Sequence, residues 1–326
     1  MNYRQLGKTN LMVSEIAVGC SAFWGDKMFP EQKAAAIIHE AFERGVNFFD
    51  TGHNYSNFNA EPRLGRILQQ ILKRNDRSKI IVSTKGGSVI GRSPVLSLRR
   101  SETKDFSPDA IERSCLESLK NLNCGYLDIF QLHGITQVQM TEALIERLAK
   151  MKQRGVFKHL GINTHKEADM LFAAQHPELF DMALIDYNIL QLDREPVIDK
   201  LHAAGIGVVA GTVLAQGHLV KGKIGSISSG SFFWYLARSL LRPSSRRLAK
   251  RSKPMRDALQ TITEMSPAQA AFAYILDNPK ISSCAFGTTN PANLIEVIEA
   301  VDRKLTEDSK RKIRRAYQSL TYKISE

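Results

Sequence analysis

The chain has 326 residues, which is too long for a typical two-layer domain but normal for one α/β barrel with insertions. Its hydrophobic content of 43% and charged content of 24% are those of a soluble globular protein, and a chain of this length can bury about three quarters of its unfolded surface without disulfide bonds. The formal net charge of +12 leaves an anionic ligand, a nucleic acid or an acidic membrane surface open as partners.

Short β-branched strands alternate with amphipathic helices along the chain. Several strands are almost continuous apolar runs, which is typical of parallel strands buried on both faces. The eight predicted strands are Ile16–Gly19, Asn47–Asp50, Ile80–Lys85, Tyr126–His133, Lys158–Asn163, Met182–Tyr187, Gly207–Thr212 and Ile281–Phe286. Predicted helices include Pro30–Arg44, Pro108–Leu122 after the capping residue Ser107, Thr141–Gln153, one that begins at Ser266 and Pro267, and Pro291–Val301. This alternation predicts a closed (β/α)8 TIM barrel of the α/β class.

Two other segments complete the predicted organisation. Residues Tyr3–Leu6 and Leu11–Ser14 flank the turn GKTN and predict an N-terminal β-hairpin that could plug the bottom of the barrel. After strand seven, the stretch from Gly217 to about Met255 breaks the alternation and predicts a long insertion on the C-terminal face, where barrel enzymes carry their active sites. Because no repeat or low-complexity linker interrupts the chain, we expect a single domain over residues 1–326.

The insertion is also where most of the charge lies. From Lys200 to Arg256 the chain has no Asp or Glu, so eleven of the twelve excess charges fall in this stretch. They are Lys200, Lys221, Lys223, Arg238, Arg242, Arg246, Arg247, Lys250, Arg251, Lys253 and Arg256. The spacing from Arg242 to Arg251 fits a solvated helix face as well as it fits a nucleic-acid or membrane surface. We expect no nucleic-acid partner, and we keep such binding as an added alternative.

The compartment is predicted from the N-terminus and the cysteines. The first ten residues are polar, and the longest apolar run, Phe232 to Leu241, contains Arg238 and is too short to cross a bilayer. We therefore expect a soluble cytoplasmic protein without a membrane span. The four cysteines (Cys20, Cys115, Cys124 and Cys284) form no Cys-x-x-Cys pair, which favours free thiols in a reducing compartment.

Three consecutive predicted strands end in residues whose side chains can take part in acid–base catalysis. Strand two ends in Asp50 with Tyr55 in the loop that follows, strand three ends in Lys85, and strand four ends in His133. Each residue alone has an ordinary structural explanation, but a buried unpaired lysine is costly. Metal binding by Asp50, His53 and His133 is an alternative, although the first strand end, Val18–Cys20, lacks the His-x-His of metal-dependent barrel hydrolases. We expect no metal.

The motifs around these residues resemble the aldo-keto reductases. They are FDTGHNY, STKGG and the LHG that follows YLDIFQ, together with YRQLGKTNLMVSEIAVGC at the start, LAQG at Leu214–Gly217 and FGTTNPANL near the end. The resemblance covers nearly the whole chain in the same order. It implies an NAD(P)-dependent reductase of aldehydes or ketones whose catalytic tetrad is Asp50, Tyr55, Lys85 and His133.

The resemblance assigns a role to each member of the tetrad. A free tyrosine has a pKa of about 10, so it donates a proton poorly near neutrality unless its phenolate is stabilised. Lys85 would supply that stabilisation by charge, and Asp50 would hold Lys85 in place. His133 would orient the substrate carbonyl, and Tyr55 would protonate its oxygen as the nicotinamide delivers a hydride.

The cofactor contacts implied by the resemblance are less complete. Asn163 and Thr164 stand where the family has a Ser-Asn pair, Leu184 replaces a Gln, and Gly211 replaces a Tyr that stacks under the nicotinamide. In many members of the family a Lys and an Arg bind the 2′-phosphate of NADP, and Gly287 and Asn293 stand at those positions here. The absence of the two cations favours NAD or a relaxed cofactor specificity. We nevertheless expect NADP, because it is the usual cofactor of the family. The expected cofactor-binding residues are Asn163, Thr164, Leu214, Gln216, Gly217, Gly287, Thr288, Thr289, Asn290 and Asn293, some of which lie before a helix N-terminus that can bind phosphate.

The expected substrate is a small carbonyl compound. Phe23 and Trp24 follow strand one and Phe58 follows Tyr55, so these aromatic residues could line the mouth of the barrel. Two alternatives stay open: a sugar or polyol dehydrogenase that works in the oxidative direction, and a cofactor-binding regulatory subunit, against which the intact tetrad argues. The sequence does not predict the oligomeric state.

Overall fold

The computed structural model describes residues 1–90, 102–220, 248 and 251–320. Residues 221–247 and 249–250, which hold most of the basic insertion and the apolar run from 232 to 241, lie outside the described residues. The predicted role of that segment therefore stays a prediction.

Eight parallel strands close into a barrel. Within the described residues the strands are β1 (Tyr3–Gln5), β2 (Met12–Ser14), β3 (Ile16–Gly19), β4 (Phe48–Asp50), β5 (Ile81–Gly86), β6 (Ser88–Ile90), β7 (Glu102–Lys104), β8 (Leu127–His133), β9 (Phe157–Thr164), β10 (Met182–Asp186), β11 (Gly207–Gly211) and β12 (Ile281–Phe286). The barrel order is β10-β11-β12-β3-β4-β5-β8-β9, and the eight predicted strands are confirmed with ends that differ by one residue at most.

Helices cover the outside of this barrel. In the same residues they are α1 (Glu31–Glu43), α2 (Ala60–Leu72), α3 (Pro108–Leu122), α4 (Glu142–Gln153), α5 (Glu167–Gln175), α6 (Glu195–Ala203), α7 (Lys253–Leu259), α8 (Pro267–Leu276), α9 (Pro291–Ile298) and α10 (Glu307–Gln318). The (β/α)8 TIM barrel predicted from the alternation is thus confirmed. No helix among the described residues combines the length and the apolar character needed to cross a bilayer.

The starts of two helices show how far capping patterns can be predicted. Ser266 caps α8 as expected, because its hydroxyl accepts a hydrogen bond from the backbone N–H of Gln269 at 3.2 Å. Ser107 stands at the N-cap of α3, but its hydroxyl makes no capping bond. Asp105 instead accepts a hydrogen bond from the backbone N–H of Ser107 at 2.8 Å. A carboxylate therefore occupies the position next to the helix N-terminus, where negative charge is favourable.

The N-terminal hairpin closes the bottom of the barrel, as predicted. Strands β1 and β2 pair antiparallel, and Leu6 and Val13 from this hairpin are fully buried in the cluster that fills the barrel interior. The other members of that cluster are Ala17, Phe48, Ile81, Ile129, Met182, Leu184 and Val209. Gly7 lies so close to the start of β11 that a Cβ there would sit 2.3 Å from the backbone N of Gly207, so the position requires glycine.

Along each strand every second side chain faces the barrel interior, and this alternation also places polar side chains above the apolar cluster. Successive side chains of a strand point to opposite faces, and Phe48, Ile81 and Ile129 face the interior. Two residues further along, Asp50, Ser83 and Gln131 therefore face the interior as well. A further two residues along β5 and β8 lie Lys85 and His133, so the polar groups gather at the C-terminal ends of three neighbouring strands.

Candidate active site

The centre of the site is the ammonium group of Lys85. This side chain is 1% exposed, and its Nζ donates hydrogen bonds to a carboxylate oxygen of Asp50 and to the backbone O of Thr51, the latter at 2.7 Å. Nζ also lies 4.8 Å from the ring centroid of Tyr55. Three predicted site residues therefore meet at this ammonium, from β4, from β5 and from the turn that follows β4.

The electrostatics keep Lys85 charged. Burial lowers its pKa, but the negative charge of Asp50, the charge of Tyr55 and side-chain hydrogen bonds with both outweigh that effect and raise the pKa above its ordinary value. A lysine that is buried and still protonated carries a full positive charge in a poorly screened environment. That charge lies beside the tyrosine side chain.

Gln131 is a member of this cluster that sequence reasoning missed. Its side-chain amide donates to Oδ1 of Asp50 at 2.7 Å and to the hydroxyl of Ser83 at 2.6 Å. One carboxylate oxygen of Asp50 is thus held by Gln131 and the other by Lys85. The position of the carboxylate is fixed from two sides, which in turn fixes the lysine.

His133 is a second neighbour of the Tyr55 ring. The two rings meet edge to face, with centroids 5.8 Å apart and planes at 85°. Burial lowers the pKa of His133 to about 3, with smaller contributions from the positive charges of Lys104, Lys85 and His165. The imidazole is therefore neutral at physiological pH and offers one N–H donor and one acceptor nitrogen. Its Nδ1 is buried and has no hydrogen-bond partner among the described residues.

The loop that carries Tyr55 is held by a buried network that the sequence did not reveal. Glu61, at the start of α2, is 1% exposed and accepts hydrogen bonds from Thr84 at 2.5 Å and from the side chain of Asn121 at 3.2 Å. His53 lies between Glu61 and Glu117, with ring nitrogens 3.3 and 3.2 Å from the two carboxylates. His53, two residues before Tyr55, therefore contacts carboxylates of both α2 and α3.

The rest of this loop is conformationally restrained. Ser56, Asn57 and Phe58 all have positive φ, between 52° and 64°, which costs free energy for residues other than glycine. Two side-chain hydrogen bonds tie the loop to the segment that follows β3, from the Ser56 hydroxyl to the O of Ala22 at 2.7 Å and from Asn59 to the O of Gly25 at 2.6 Å. The turn therefore presents Tyr55 on a rigid frame.

The three aromatic residues predicted to contact substrate lie in different environments. Trp24 is 2% exposed and donates its indole N–H to the O of Ala34 in α1 at 3.2 Å, while Phe23 is buried and packs against Phe29 at a centroid distance of 5.5 Å. Phe58 is partly exposed and meets His53 edge to face at 5.1 Å. The structure brings Phe58 to the tyrosine loop, and substrate contact by all three stays a prediction.

The predicted pair after strand five is divided between the two faces of the barrel wall. Asn163 faces the interior and donates to the backbone O of Leu184 at 3.1 Å. Thr164 faces outward, where its hydroxyl donates to Asp169 at 3.2 Å and accepts from the backbone N of Lys166 at 3.1 Å. Asn163 is therefore the member of the pair that lies beside His133, with which it is in register.

A cavity of about 480 Å³ opens beside these strand ends. His165 and Asp186 form its polar wall, with Nδ1 and Oδ2 2.7 Å apart, and Thr212 donates to the other oxygen of Asp186 at 3.2 Å. The hydrogen bond with Asp186 raises the pKa of His165. Gln216, one of the predicted cofactor-binding residues, lines the same cavity. His165 and Asp186 were missed because no motif found in the sequence contains them.

The remaining predicted cofactor residues form two turns. Asn290 caps α9 by accepting from the backbone N of Ala292 at 3.1 Å, and the Thr288 hydroxyl accepts from the N of Asn290 at 3.1 Å. Gly287 lies beside the end of β3, since a Cβ on it would be 2.9 Å from the O of Gly19. Leu214, Gln216 and Gly217 lie in the turn after β11, Thr289 lies in the turn before α9, and Asn293 lies in the first turn of α9; their contact with a cofactor stays a prediction.

Comparison with known proteins gives the family. The sequence model of the Aldo/keto reductase family matches residues 15–318. L-galactose dehydrogenase from Arabidopsis thaliana is 29% identical over 317 residues, which cover 91% of this chain and 87% of that protein, and L-glyceraldehyde 3-phosphate reductase from Escherichia coli is 26% identical over 318 residues, covering 93% and 88%.

The holo form of the aldo-keto reductase AKR11C1 from Bacillus halodurans shares the fold, with a TM-score of 0.74 at 23% identity over 100% of this chain and 99% of that one. The family match over nearly the whole length agrees with the closed barrel and with the resemblance found in the motifs. The chain belongs to the aldo/keto reductase family of NAD(P)-dependent oxidoreductases.

Proposed function

We propose that the protein reduces an aldehyde or ketone to an alcohol, with Tyr55 as the proton donor. The observation that carries this proposal is the buried, charged Lys85 held between Asp50 and Tyr55. A cation at that position stabilises the phenolate that is left after Tyr55 gives up its proton. The family match supports carbonyl chemistry for this site.

Each of the other residues has a positioning task in this scheme. Asp50 holds the Lys85 ammonium, and Gln131 holds Asp50. His133 is neutral because of its low pKa, so its N–H can donate to the substrate oxygen without protonating it. The substrate carbonyl would then lie between the His133 imidazole and the Tyr55 hydroxyl. The ring centroids of these two residues are 5.8 Å apart.

We propose a nicotinamide dinucleotide, NADP or alternatively NAD, as the cofactor, which when bound supplies a hydride to the carbonyl carbon. The residues present fit such an anionic ligand. The 480 Å³ cavity is lined by His165, whose pKa is raised, and by Gln216, and Asn163, two residues before His165, is in register with His133. The amides and hydroxyls at Thr288, Asn290 and Asn293 would hold the adenosine end.

One relative favours a second function. L-galactose dehydrogenase is named for the oxidation of a sugar, and the proposed proton relay works equally well in that direction because catalysis is reversible. In that case Tyr55, as phenolate stabilised by Lys85, would accept the hydroxyl proton of a sugar or polyol. The ratio of the two rates at one pH distinguishes reductase from dehydrogenase.

The direct test is a fluorescence titration with NADPH and NADH, followed by a screen of carbonyl compounds with the cofactor that binds. We expect binding of at least one cofactor and its oxidation in the presence of an aldehyde or ketone. Binding without turnover of any carbonyl compound or alcohol would support the regulatory subunit instead. Absence of binding would contradict the proposal.

A separate prediction concerns the basic insertion, most of which lies outside the described residues. Since Gly287 and Asn293 replace the usual cationic clamp, we expect one or two of Lys221, Lys223, Arg238 and Arg242 to contact the 2′-phosphate of NADPH. Each such contact stabilises binding by about 1.5–3 kcal/mol. Replacing the responsible residue by Ala should therefore weaken the binding of NADPH by roughly 10- to 100-fold more than it weakens the binding of NADH.

The measurement is the ratio of the two dissociation constants at fixed salt for each single variant. Arg311→Ala, in the exposed face of α10, removes a cation that forms a surface pair with Asp308 and serves as the matched control. An unchanged ratio in all four variants would show that the insertion does not bind the 2′-phosphate. It would then be a solvated face or a surface for another anionic partner.

A further inference from the structure

Glu61 is a buried carboxylate behind the active site. It lies in the first turn of α2 and is 1% exposed. Its carboxylate accepts a hydrogen bond from the side chain of Asn121 in α3 at 3.2 Å and lies 3.3 Å from the ring of His53, while none of the lysines and arginines that the structure describes forms an ion pair with it. Because burying a carboxylate without a permanent cation costs free energy, stability alone does not explain a glutamate at this position.

The contacts of Glu61 reach the two segments that carry Tyr55 and Lys85. The Thr84 hydroxyl donates to Oε1 of Glu61 at 2.5 Å, and Thr84 directly precedes Lys85 in β5. Oε2 of Glu61 lies 3.3 Å from Nδ1 of His53, two residues before Tyr55 in the loop after β4. One buried side chain therefore contacts a near neighbour in sequence of each of the two residues.

The backbone joins the same two segments. The N–H of His53 donates to the backbone O of Lys85 at 3.0 Å, so the loop after β4 is held against the end of β5. Successive side chains of a strand point to opposite faces, so Lys85 faces the barrel interior and Thr84 faces outward, where it bonds to Glu61. The hydrogen bond on the outer face therefore fixes the backbone from which the Lys85 side chain extends.

The His53 ring is enclosed on its other sides as well. Its Nδ1 lies 3.4 Å from the hydroxyl of Ser118 and its Nε2 lies 3.2 Å from Oε2 of Glu117, both in α3. The ring of Phe58, three residues after Tyr55, meets it edge to face at 5.1 Å. His53 therefore has contacts on both sides of Tyr55 in the loop, and a change at Glu61 acts on the whole loop through this ring.

Resting on the carbonyl reduction proposed above, we propose that Glu61 is a positioning residue for the proton donor. Through His53 and Thr84 it holds the tyrosine loop and the end of β5 at a fixed separation. The Nζ of Lys85 lies 4.8 Å from the ring centroid of Tyr55, and the effect of a charge on a phenol falls with distance. A misplacement of about 1 Å can lower a rate by about 100-fold. Glu61 therefore controls the rate although its burial keeps it away from substrate and cofactor.

The first test removes single hydrogen bonds and preserves side-chain shape. Thr84→Val replaces the hydroxyl that donates to Glu61 by a methyl group, whereas Thr84→Ser keeps the donor. Glu61→Gln keeps an oxygen that can accept from Thr84 but loses the negative charge. For each variant, kcat, KM, the dissociation constant of the cofactor, the melting temperature and the pH–rate profile are measured.

Asp128→Asn is the matched control. Asp128 is also a buried carboxylate, and it accepts hydrogen bonds from Arg77 at 2.6 Å and from the backbone N–H of Val82 at 2.9 Å. It lies at the start of β8, at the opposite end of this strand from His133. This variant should lower the melting temperature and leave the pH–rate profile unchanged.

We expect Thr84→Val and Glu61→Gln to lower kcat by about 10- to 100-fold and to leave KM and the cofactor affinity nearly unchanged. The alkaline limb of their pH–rate profiles should move to higher pH, because Lys85 stabilises the phenolate of Tyr55 less well from a greater distance. Thr84→Ser should behave as the wild type. A profile of wild-type shape in Thr84→Val would show that Glu61 has a structural role only, and this variant decides the question if Glu61→Gln does not fold.

A titration of the tyrosine itself separates this proposal from the proposed function. Protein labelled with carbon-13 at Cζ of tyrosine is titrated by NMR without substrate, and the signal of Tyr55 is assigned by its loss in Tyr55→Phe. We expect Tyr55 to ionise at higher pH in Thr84→Val than in the wild type and in Thr84→Ser. That difference would support the positioning role even if no carbonyl compound were reduced. Carbonyl reduction by the wild type with the same Tyr55 titration in all three proteins would leave the reductase standing and remove the role of Glu61.

Discussion

Tyr55→Phe is expected to lower kcat by at least about 100-fold, the usual scale for the loss of a general acid. The substitution removes one hydroxyl and leaves the ring that meets His133 edge to face. Lys85 keeps its bonds to Asp50 and to the backbone O of Thr51, so the fold and the cofactor affinity should be preserved. The measurements are steady-state kcat, the dissociation constant of the cofactor and the thermal melting temperature.

Tyr126→Phe is the matched control. Tyr126 precedes β8, at the opposite end of this strand from His133, and its ring lies between the cations of Arg77 and Lys158 at 4.1 and 3.6 Å. Loss of that hydroxyl should leave kcat unchanged. Near wild-type turnover in Tyr55→Phe, together with an isotope effect showing that hydride transfer limits the rate, would remove Tyr55 from the mechanism.

The residues at strand ends could be predicted because the pattern of the barrel marks them. Apolar runs show where each parallel strand lies, and the last residue of the run is at the C-terminal face. Asp50, Lys85 and His133 could therefore be placed at one edge before any contact was known. The contact between Lys85 and Asp50 confirms that proximity.

Gln131 and Glu61 could not be predicted in the same way, because their partners are distant in sequence. Gln131 reaches Asp50, 81 positions away, only because β4, β5 and β8 follow one another around the closed barrel. Glu61 meets Thr84 and Asn121 because α2, β5 and α3 converge behind the tyrosine loop. The sequence around a polar residue inside a strand or at a helix start contains no pattern that predicts such a distant partner.

The tyrosine loop and Trp24 show two other limits of sequence patterns. Ser56, Asn57 and Phe58 adopt positive φ without a glycine; of the three only Asn57 is a residue type that favours this conformation, so the sequence does not indicate three such residues in succession. Trp24 follows a strand end and is predicted to contact substrate, and that contact stays a prediction; its burial comes from packing against α1, where Ala34 accepts its indole N–H, and the sequence pattern does not show this contact. Aromatic residues after a strand end can line a pocket or fill the gap beneath it, and composition does not distinguish the two.

Lys85→Met is expected to abolish reduction. The pH dependence of any residual rate should be shifted or lost. The Lys85 ammonium is the charge that stabilises the phenolate form of Tyr55. Without it, the alkaline limb of the pH–rate profile should move to higher pH or disappear. A profile of wild-type shape at a reduced rate would show that another group controls the tyrosine.

The same substitution also affects stability, and the two effects must be separated. Removing one partner of a buried ion pair leaves Asp50 uncompensated, which costs about 3–5 kcal/mol. In the wild type the folded-state pKa of Lys85 is raised above 10.5, its ordinary value. Its contribution to stability is therefore fully present below that pH and is lost only as the pH rises through the folded-state pKa. Near neutrality the contribution of Lys85 to the stability of the wild type therefore does not change with pH.

The double variant Asp50→Asn with Lys85→Met decides between loss of charge and loss of fold. It removes both members of the pair, so no buried charge is left unpaired, and the amide oxygen that replaces the carboxylate at position 50 can still accept the hydrogen bond from Gln131. We expect its melting temperature to recover most of what Lys85→Met loses, while its activity stays absent. If activity returned along with stability, Lys85 would have a structural role only, and the proton relay proposed for this site would be wrong.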